Sequence, residues 1–192
     1  MSVLPIYLYG QQTLKKKAKL VHRVDEPLRR FVDDMFETLY NSSGIGLAAN
    51  QVGSLDRVIV IDISEMEDVK TLPPGMPGTS PLVLFNPVVT DAEGLWTMEE
   101  GCLSIPDIRD EVERAETITV KYRDLDFVEN TVEADGLLAR VLLHEIDHLN
   151  GVLFVDHLNV VKQKLLRGRL NKIRRGEVEV PYPVVTEEPQ LK

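Results

Sequence analysis

The run Asp135-Gly136-Leu137-Leu138-Ala139-Arg140-Val141-Leu142-Leu143-His144-Glu145-Ile146-Asp147-His148-Leu149-Asn150-Gly151 reads as one amphipathic helix, about Gly136 to Asn150. Asp135 suits its N-cap and Asn150-Gly151 its stop. Leu137, Val141, His144 and His148 fall on one stripe, because residues four apart on a helix stand one above the other. His144-Glu145-Ile146-Asp147-His148 is an H-E-x-x-H pattern, so both imidazoles can reach one cation. Glu145 is turned by about 100° from His144 and lies beside that cation rather than in the row. A carboxylate there can take a proton from water whose pKa a cation has lowered. A His pair on a helix can also be structural, but a capped apolar stripe ending in two imidazoles calls for something to bind.

Two donors do not make a site. Catalytic centres of this kind take three protein donors and keep one position open. Downstream candidates are Asp156, His157, Glu177 and Glu179, and no G-x-x-H extension follows His148. Asp156 and His157 follow the stop at Gly151 and are expected to face away. Upstream lies Cys102, the chain's single cysteine, in Glu100-Gly101-Cys102-Leu103-Ser104. One cysteine makes no internal disulfide, so it is either a small buried hydrophobe or a reactive or metal-binding thiolate. As a thiolate it completes a Cys-His-His set.

Working outward, residues 25–40 predict a helix capped by Asp25, with Pro27 in its first turn and Leu28, Phe31, Val32, Met35, Phe36 and Leu39 on one face. It should end at Asn41-Ser42-Ser43-Gly44. The small residues of Gly44-Ile45-Gly46-Leu47-Ala48-Ala49-Asn50-Gln51 let a backbone pass close to another group. Strands are expected at 57–63, 82–89, 111–115 and 117–123. Glu65–Pro81, crowded with Pro and Gly, reads as an inserted surface loop. A last helix, about His157–Arg175, carries Leu158, Val161, Leu165, Leu166, Leu170 and Ile173 as its expected buried stripe. These elements suggest an α+β domain over residues 1–180, followed by a loose tail over 181–192.

Hydrophobic residues at 43% and charged residues at 28% fit a soluble globular domain, and 192 residues suffice for one core. A net charge of −9 speaks against DNA or RNA binding as the main task. No apolar run reaches the ~18–20 residues of a membrane span. Met1–Gly10 lacks a signal-peptide pattern, so the expected compartment is the cytoplasm.

Three segments together resemble the peptide deformylases: G-φ-G-φ-A-A-x-Q at Gly44–Gln51, E-G-C-φ-S at Glu100–Ser104 and H-E-x-D-H at His144–His148, where φ is apolar. All occur in the family's order without a mismatch, and the similarity runs from the first helix to about Leu158. The departure is the proline-rich insertion at Glu65–Pro81, longer than the family pattern. The resemblance implies an α+β fold with antiparallel sheets around a central metal-binding helix and a C-terminal helix. It implies removal of the N-formyl group from formyl-methionyl nascent peptides. The family's metal ligands fall on Cys102, His144 and His148, its catalytic glutamate on Glu145, and its oxyanion donors on the Gln51 side-chain amide and the Leu103 backbone N–H. The implied ion is Fe²⁺ in the cell, with Zn²⁺, Ni²⁺ or Co²⁺ as substitutes.

Around that centre, Leu137, Val141 and Ile45 are candidate walls of an apolar slot for the substrate side chain, with ordinary core packing as the alternative for each. Ile45 and Gly46 can offer backbone groups to an extended peptide. Arg109 is a candidate contact further along, or else a solvated arginine. Asp147 is expected to pair with an arginine such as Arg114 rather than bind metal. The seven basic residues of Lys162–Arg175 are either a solvated helix face or a surface for ribosomal RNA near the peptide exit. Two rival readings stand beside the deformylase: an H-E-x-x-H metalloendopeptidase and a non-catalytic structural metal module.

Overall fold

Residues 2–66 and 78–186 are described by a computed structural model; most of the proline-rich stretch expected as a loop, residues 67–77, lies outside them. The first helix, α1 (Glu26–Asn41), begins where the sequence places it: the Asp25 side chain accepts from the Leu28 N–H at 3.1 Å. Its apolar face, Val32, Met35 and Leu39, is buried against Leu47, Val58, Val60 and Phe85.

The main sheet is antiparallel. Its strands are β2 (Gly46–Ala48), β3 (Val58–Ile61), β4 (Leu82–Glu93), β7 (Thr117–Arg123) and β8 (Glu129–Asp135), in the order β2-β3-β4-β7-β8. A separate hairpin pairs β5 (Trp96–Cys102) with β6 (Ile105–Arg114). The central helix, α2 (Gly136–Leu149), lies on the main sheet. Leu138, Ala139, Val141, Leu142, Ile146 and Leu149 pack there against Ile59, Ile61, Leu84, Ile118 and Val120. Each buried Leu, Ile or Val among them stabilises by about 1.5–3 kcal/mol, so the helix that carries the His pair is anchored by its other faces. No helix of the described residues is long and apolar enough to cross a membrane.

Four expectations are corrected. Asp135 stands at the start of α2, but its side chain makes no capping hydrogen bond; Gly136, at φ +49°, turns the chain into the helix instead. The last helix, α3, spans Val160–Arg174 and is capped by Asn159, whose side chain accepts from the Lys162 N–H. Val161 and Leu165 are not in its buried stripe: they are 67% and 76% exposed. At 100° per residue they lie 80° or more from Leu166, Leu170 and Ile173, the row that docks, so the expected stripe spans two faces. Finally, the start of the expected loose tail is tied down: β9 (Val184–Val185) pairs in parallel with β1 (Ile6–Tyr7), while residues 187–192 lie outside the described residues.

At the far end of α2 the stop at Gly151 holds for a steric reason. Its φ is +77°, and a Cβ there would stand 2.6 Å from the Lys15 carbonyl oxygen, a position that favours glycine.

Candidate metal centre

Cys102 ends β5, and His144 and His148 stand on one face of α2. The hairpin register shifts between Gly101 and Cys102, a bulge that re-aims the cysteine toward the helix. One donor atom from each of the three lies within 4.8 Å of the others, and this is the one such group among the described residues. Cys102 Sγ is 3.2 Å from His148 Nε2. Bonds of about 2.3 Å to sulfur and about 2.0–2.1 Å to nitrogen put tetrahedral neighbours about 3–4 Å apart, so the trio fits one ion with small adjustment. A closed structural site needs a fourth protein donor; among the described residues the group has three.

The downstream candidates are engaged elsewhere or lie apart. His157 Nε2 is 2.7 Å from Asp147 Oδ2, and Asp156 takes Lys15 Nζ and the Leu153 N–H. Glu177 pairs with Arg175, and Glu179 lies at the rim of the cleft. Asp147 accepts from Arg114 Nη1 at 2.6 Å, the pairing the sequence suggested.

Glu100, two residues before the cysteine, is the organising group, a role its place in the Glu100–Ser104 segment does not reveal. Its carboxylate accepts from Arg114 Nε at 2.6 Å and Nη2 at 3.1 Å and from Arg140 Nη1 at 2.9 Å. His144 Nδ1 lies 2.9 Å from its Oε2. Glu100, Arg114 and Arg140 are all buried. Burial alone would raise the Glu100 carboxyl, but hydrogen bonds from His144 and Arg114, and their charge, hold it well below the usual carboxylate range. An ionised Glu100 takes the Nδ1–H of His144 and leaves Nε2 for the ion, which fixes the tautomer a metal ligand needs. Arg140 sits four residues before His144 on α2, so both reach Glu100 from one helix face.

The imidazoles differ in charge preference. Burial holds His148 well below its ordinary value. At His144 burial acts the same way, but hydrogen bonds to Cys102 and Glu100 outweigh it and push the ring well above. A cation therefore competes with a proton at His144.

Glu145 is buried, and its Oε2 has no hydrogen-bond partner among the described residues. Burial pushes its carboxyl up to about 7, with the His144 charge pulling the other way; a cation on the neighbouring donors would lower it further. Gly46 makes room for it: a Cβ at that position would meet Glu145 Oε1 at 2.6 Å. Gln51 is buried and oriented. Its Oε1 accepts from the Ala48 N–H at 2.8 Å, so its Nε2 turns to Cys102 Sγ at 3.5 Å and Ser104 Oγ at 3.4 Å. Leu103 occupies the tip between β5 and β6, next to the sulfur donor.

These groups open into a cleft of about 1060 Å³, the size of a site for several linked residues. Ile45, Gly46, Leu137, Val141 and Arg109 all line it, together with Met66 and Met98, which the sequence did not single out. Arg109 stands exposed at the rim, 3.4 Å from Glu99. One wall is β2, an edge strand whose other side pairs with β3.

A profile of the polypeptide deformylase family matches residues 3–164. A peptide deformylase of Salinibacter ruber is 45% identical over 192 residues, covering 97% of this chain and 96% of its own. Among solved structures, a peptide deformylase from Legionella pneumophila superposes with a TM-score of 0.80 at 39% identity, covering 92% of this chain and 98% of that one. One from Ehrlichia chaffeensis, in complex with actinonin, gives 0.81 at 36% identity, covering 93% and 100%. With the three segments and their geometry, these likenesses settle the kinship: the chain belongs to the polypeptide deformylase family.

Proposed function

We infer that the chain is a metal-dependent hydrolase that removes the N-formyl group from formyl-methionyl nascent peptides, giving formate and a free amine. The observation that carries this is a buried carboxylate, Glu145, with an unpartnered oxygen beside a Cys-His-His donor set at the floor of a peptide-sized cleft. Formate release from formyl-Met peptides by metal-loaded protein tests it; cleavage of an internal peptide bond without formate would favour the endopeptidase.

Cys102, His144 and His148 would hold the ion, which when bound supplies a Lewis acid that acidifies water and polarises a carbonyl. Glu145 takes the proton of the attacking water and returns it to the leaving amine, base and then acid. Charge building on the formyl oxygen meets the Gln51 amide and the Leu103 N–H. The unpaired edge of β2, with Ile45 and Gly46 at its start, accepts the substrate backbone as an added strand. Leu137, Val141 and Ile45 bound the slot for the methionine side chain, and Arg109 meets residues beyond it. The thiolate and two imidazoles suit a first-row divalent ion. Fe²⁺ is the ion proposed in the cell, to be read by metal analysis after anaerobic purification, with Zn²⁺, Ni²⁺ or Co²⁺ able to replace it.

Gln51 gives a sharp test. Gln51→Glu would put a second anion against the Cys102 sulfur and the charge forming on substrate. A donor of this kind is worth about 10²–10³ in kcat, so the variant should lose at least that much with its metal content intact. Wild-type turnover would remove Gln51 from the mechanism.

The cytoplasm is the proposed compartment, and the ribosome a proposed partner through the basic face of α3. Part of that face serves the fold: Lys162 pairs with Asp110, Arg169 reaches the Asp107 carbonyl and Arg175 pairs with Glu177. Lys164 and Arg167 are exposed, beside the exposed Val161 and Leu165. Reversing both charges should weaken ribosome co-sedimentation in a salt-dependent way while sparing small-peptide hydrolysis; unchanged co-sedimentation would end the idea.

A further inference from the structure

The family profile ends at residue 164, yet the outer wall of the cleft comes from well past it, in Glu179, Val180, Pro181 and Tyr182. After α3 the chain reverses at Gly176, φ +73°, and returns to place β9 beside β1. Backbone bonds then link three neighbours in a row. The Ile6 N–H donates to the Pro183 carbonyl at 2.8 Å, the Leu8 N–H to the Val185 carbonyl at 2.9 Å, and the Tyr9 N–H to the Ser104 carbonyl at 2.8 Å. The returning segment, β1 and the Cys102–Ser104 turn are thus one frame.

Within that frame the Tyr182 hydroxyl donates to the carbonyl oxygen of Leu103 at 2.9 Å. The tyrosine ring belongs to the apolar cluster of Ile105, Ile108 and Phe154. Burial, with the charges of Cys102 and Asp107 nearby, pushes the phenol up to about 12, so it stays a donor at ordinary pH. Only φ and ψ separate the N–H of a residue from its carbonyl. With Cys102 held on one side as a metal donor, a fixed Leu103 carbonyl therefore fixes where the Leu103 N–H points.

Resting on the deformylase reading above, we propose that Tyr182 is a positioning residue for deformylation. From a segment beyond the residues that the family profile matches, it sets the direction of the Leu103 N–H that receives charge from the formyl oxygen. The bland alternative is that Tyr182 only fills the wall of the cleft. Tyr182→Phe separates the two, since it keeps the ring and removes the hydroxyl.

The test uses the full chain loaded with zinc. In Tyr182→Phe the backbone amide resonance of Leu103 should shift in a ¹⁵N-correlated NMR spectrum. On a formyl-Met tripeptide kcat should fall about three- to tenfold, the worth of one neutral hydrogen bond. KM should stay within about twofold and metal content unchanged, a split that simple loss of packing would not produce. An unmoved Leu103 resonance, or kcat within about twofold of wild type, overturns the proposal. Failure of the deformylase reading shows separately, as wild-type protein that releases no formate, and the Leu103 resonance still decides whether Tyr182 holds that turn.

Discussion

Glu145→Gln should release formate about 10²–10⁴ times more slowly than wild type, bind its metal as before and, metal-free, unfold at a higher temperature. The side chains are nearly isosteric, so the fit against Gly46, where a Cβ would come within 2.6 Å of Glu145 Oε1, is kept. What is lost is the ability to take and return a proton. The gain in stability follows from burial. A carboxyl whose pKa rises on folding, here from 4.5 to about 7, holds its proton more tightly in the folded state. Its burial therefore costs nothing below about pH 4.5 and progressively more as pH rises through about 7. An amide escapes that cost, so the variant's gain should grow across this interval and vanish at acid pH. It should reach on the order of 1–3 kcal/mol, a few degrees in Tm for a chain of this size. Turnover retained at full metal content would remove Glu145 from proton transfer. A melting curve that shows no gain above neutral pH would instead say that the buried oxygen is satisfied by water. Lost activity together with gained stability is the mark of a group kept for chemistry, and neither a structural metal module nor a packing role for Glu145 produces it.

The parts of this protein legible in its sequence are those whose signals are local. Asp25, Pro27 and a 3.6-residue apolar rhythm give α1, and the β-branched run of Thr117–Arg123 gives β7 to the residue. The His144–His148 pair needs only helical spacing, and Cys102, the single cysteine, stands out as a candidate third donor. What could not be read depends on partners far away in the chain. β5 and β8 carry Glu99, Glu100, Glu129, Asn130 and Glu133, residues that do not announce a strand. Glu100 is tolerable inside only because Arg114 and Arg140 arrive from 14 and 40 residues away. Arg140 did carry a trace, four residues before His144, yet an arginine on a helix reads first as solvated. The wall at Glu179–Tyr182 was hidden for the same reason. Two valines after Pro183 become β9 only when Ile6 and Tyr7 are there to receive them.

That dependence on distant charge makes Glu100→Ala the most damaging single change expected outside the metal donors. Around Glu100 two carboxylates, its own and that of Asp147, face two guanidinium groups, Arg114 and Arg140. Glu100, Arg114 and Arg140 are buried and Asp147 is partly so. Removing Glu100 leaves two buried cations against one carboxylate and strips His144 of the acceptor that fixes its tautomer. Leaving a buried charge uncompensated costs about 3–5 kcal/mol, or roughly 6–20 °C in Tm for a domain of this size. The surplus positive charge also sits next to the three donors and repels a divalent ion. Loss of the carboxylate behind a metal-binding histidine alone weakens binding about 10–100-fold, and here repulsion adds to it. Competition with a chelator and a thermal melt should both register the change. Glu100→Gln separates the two contributions: it keeps an oxygen for the His144 Nδ1–H but not the negative charge. Its metal affinity should lie between wild type and alanine, with most of the stability still lost. If the glutamine variant matched wild type in both measurements, the carboxylate would be acting by shape alone, and the electrostatic account of how this helix holds its metal would fail.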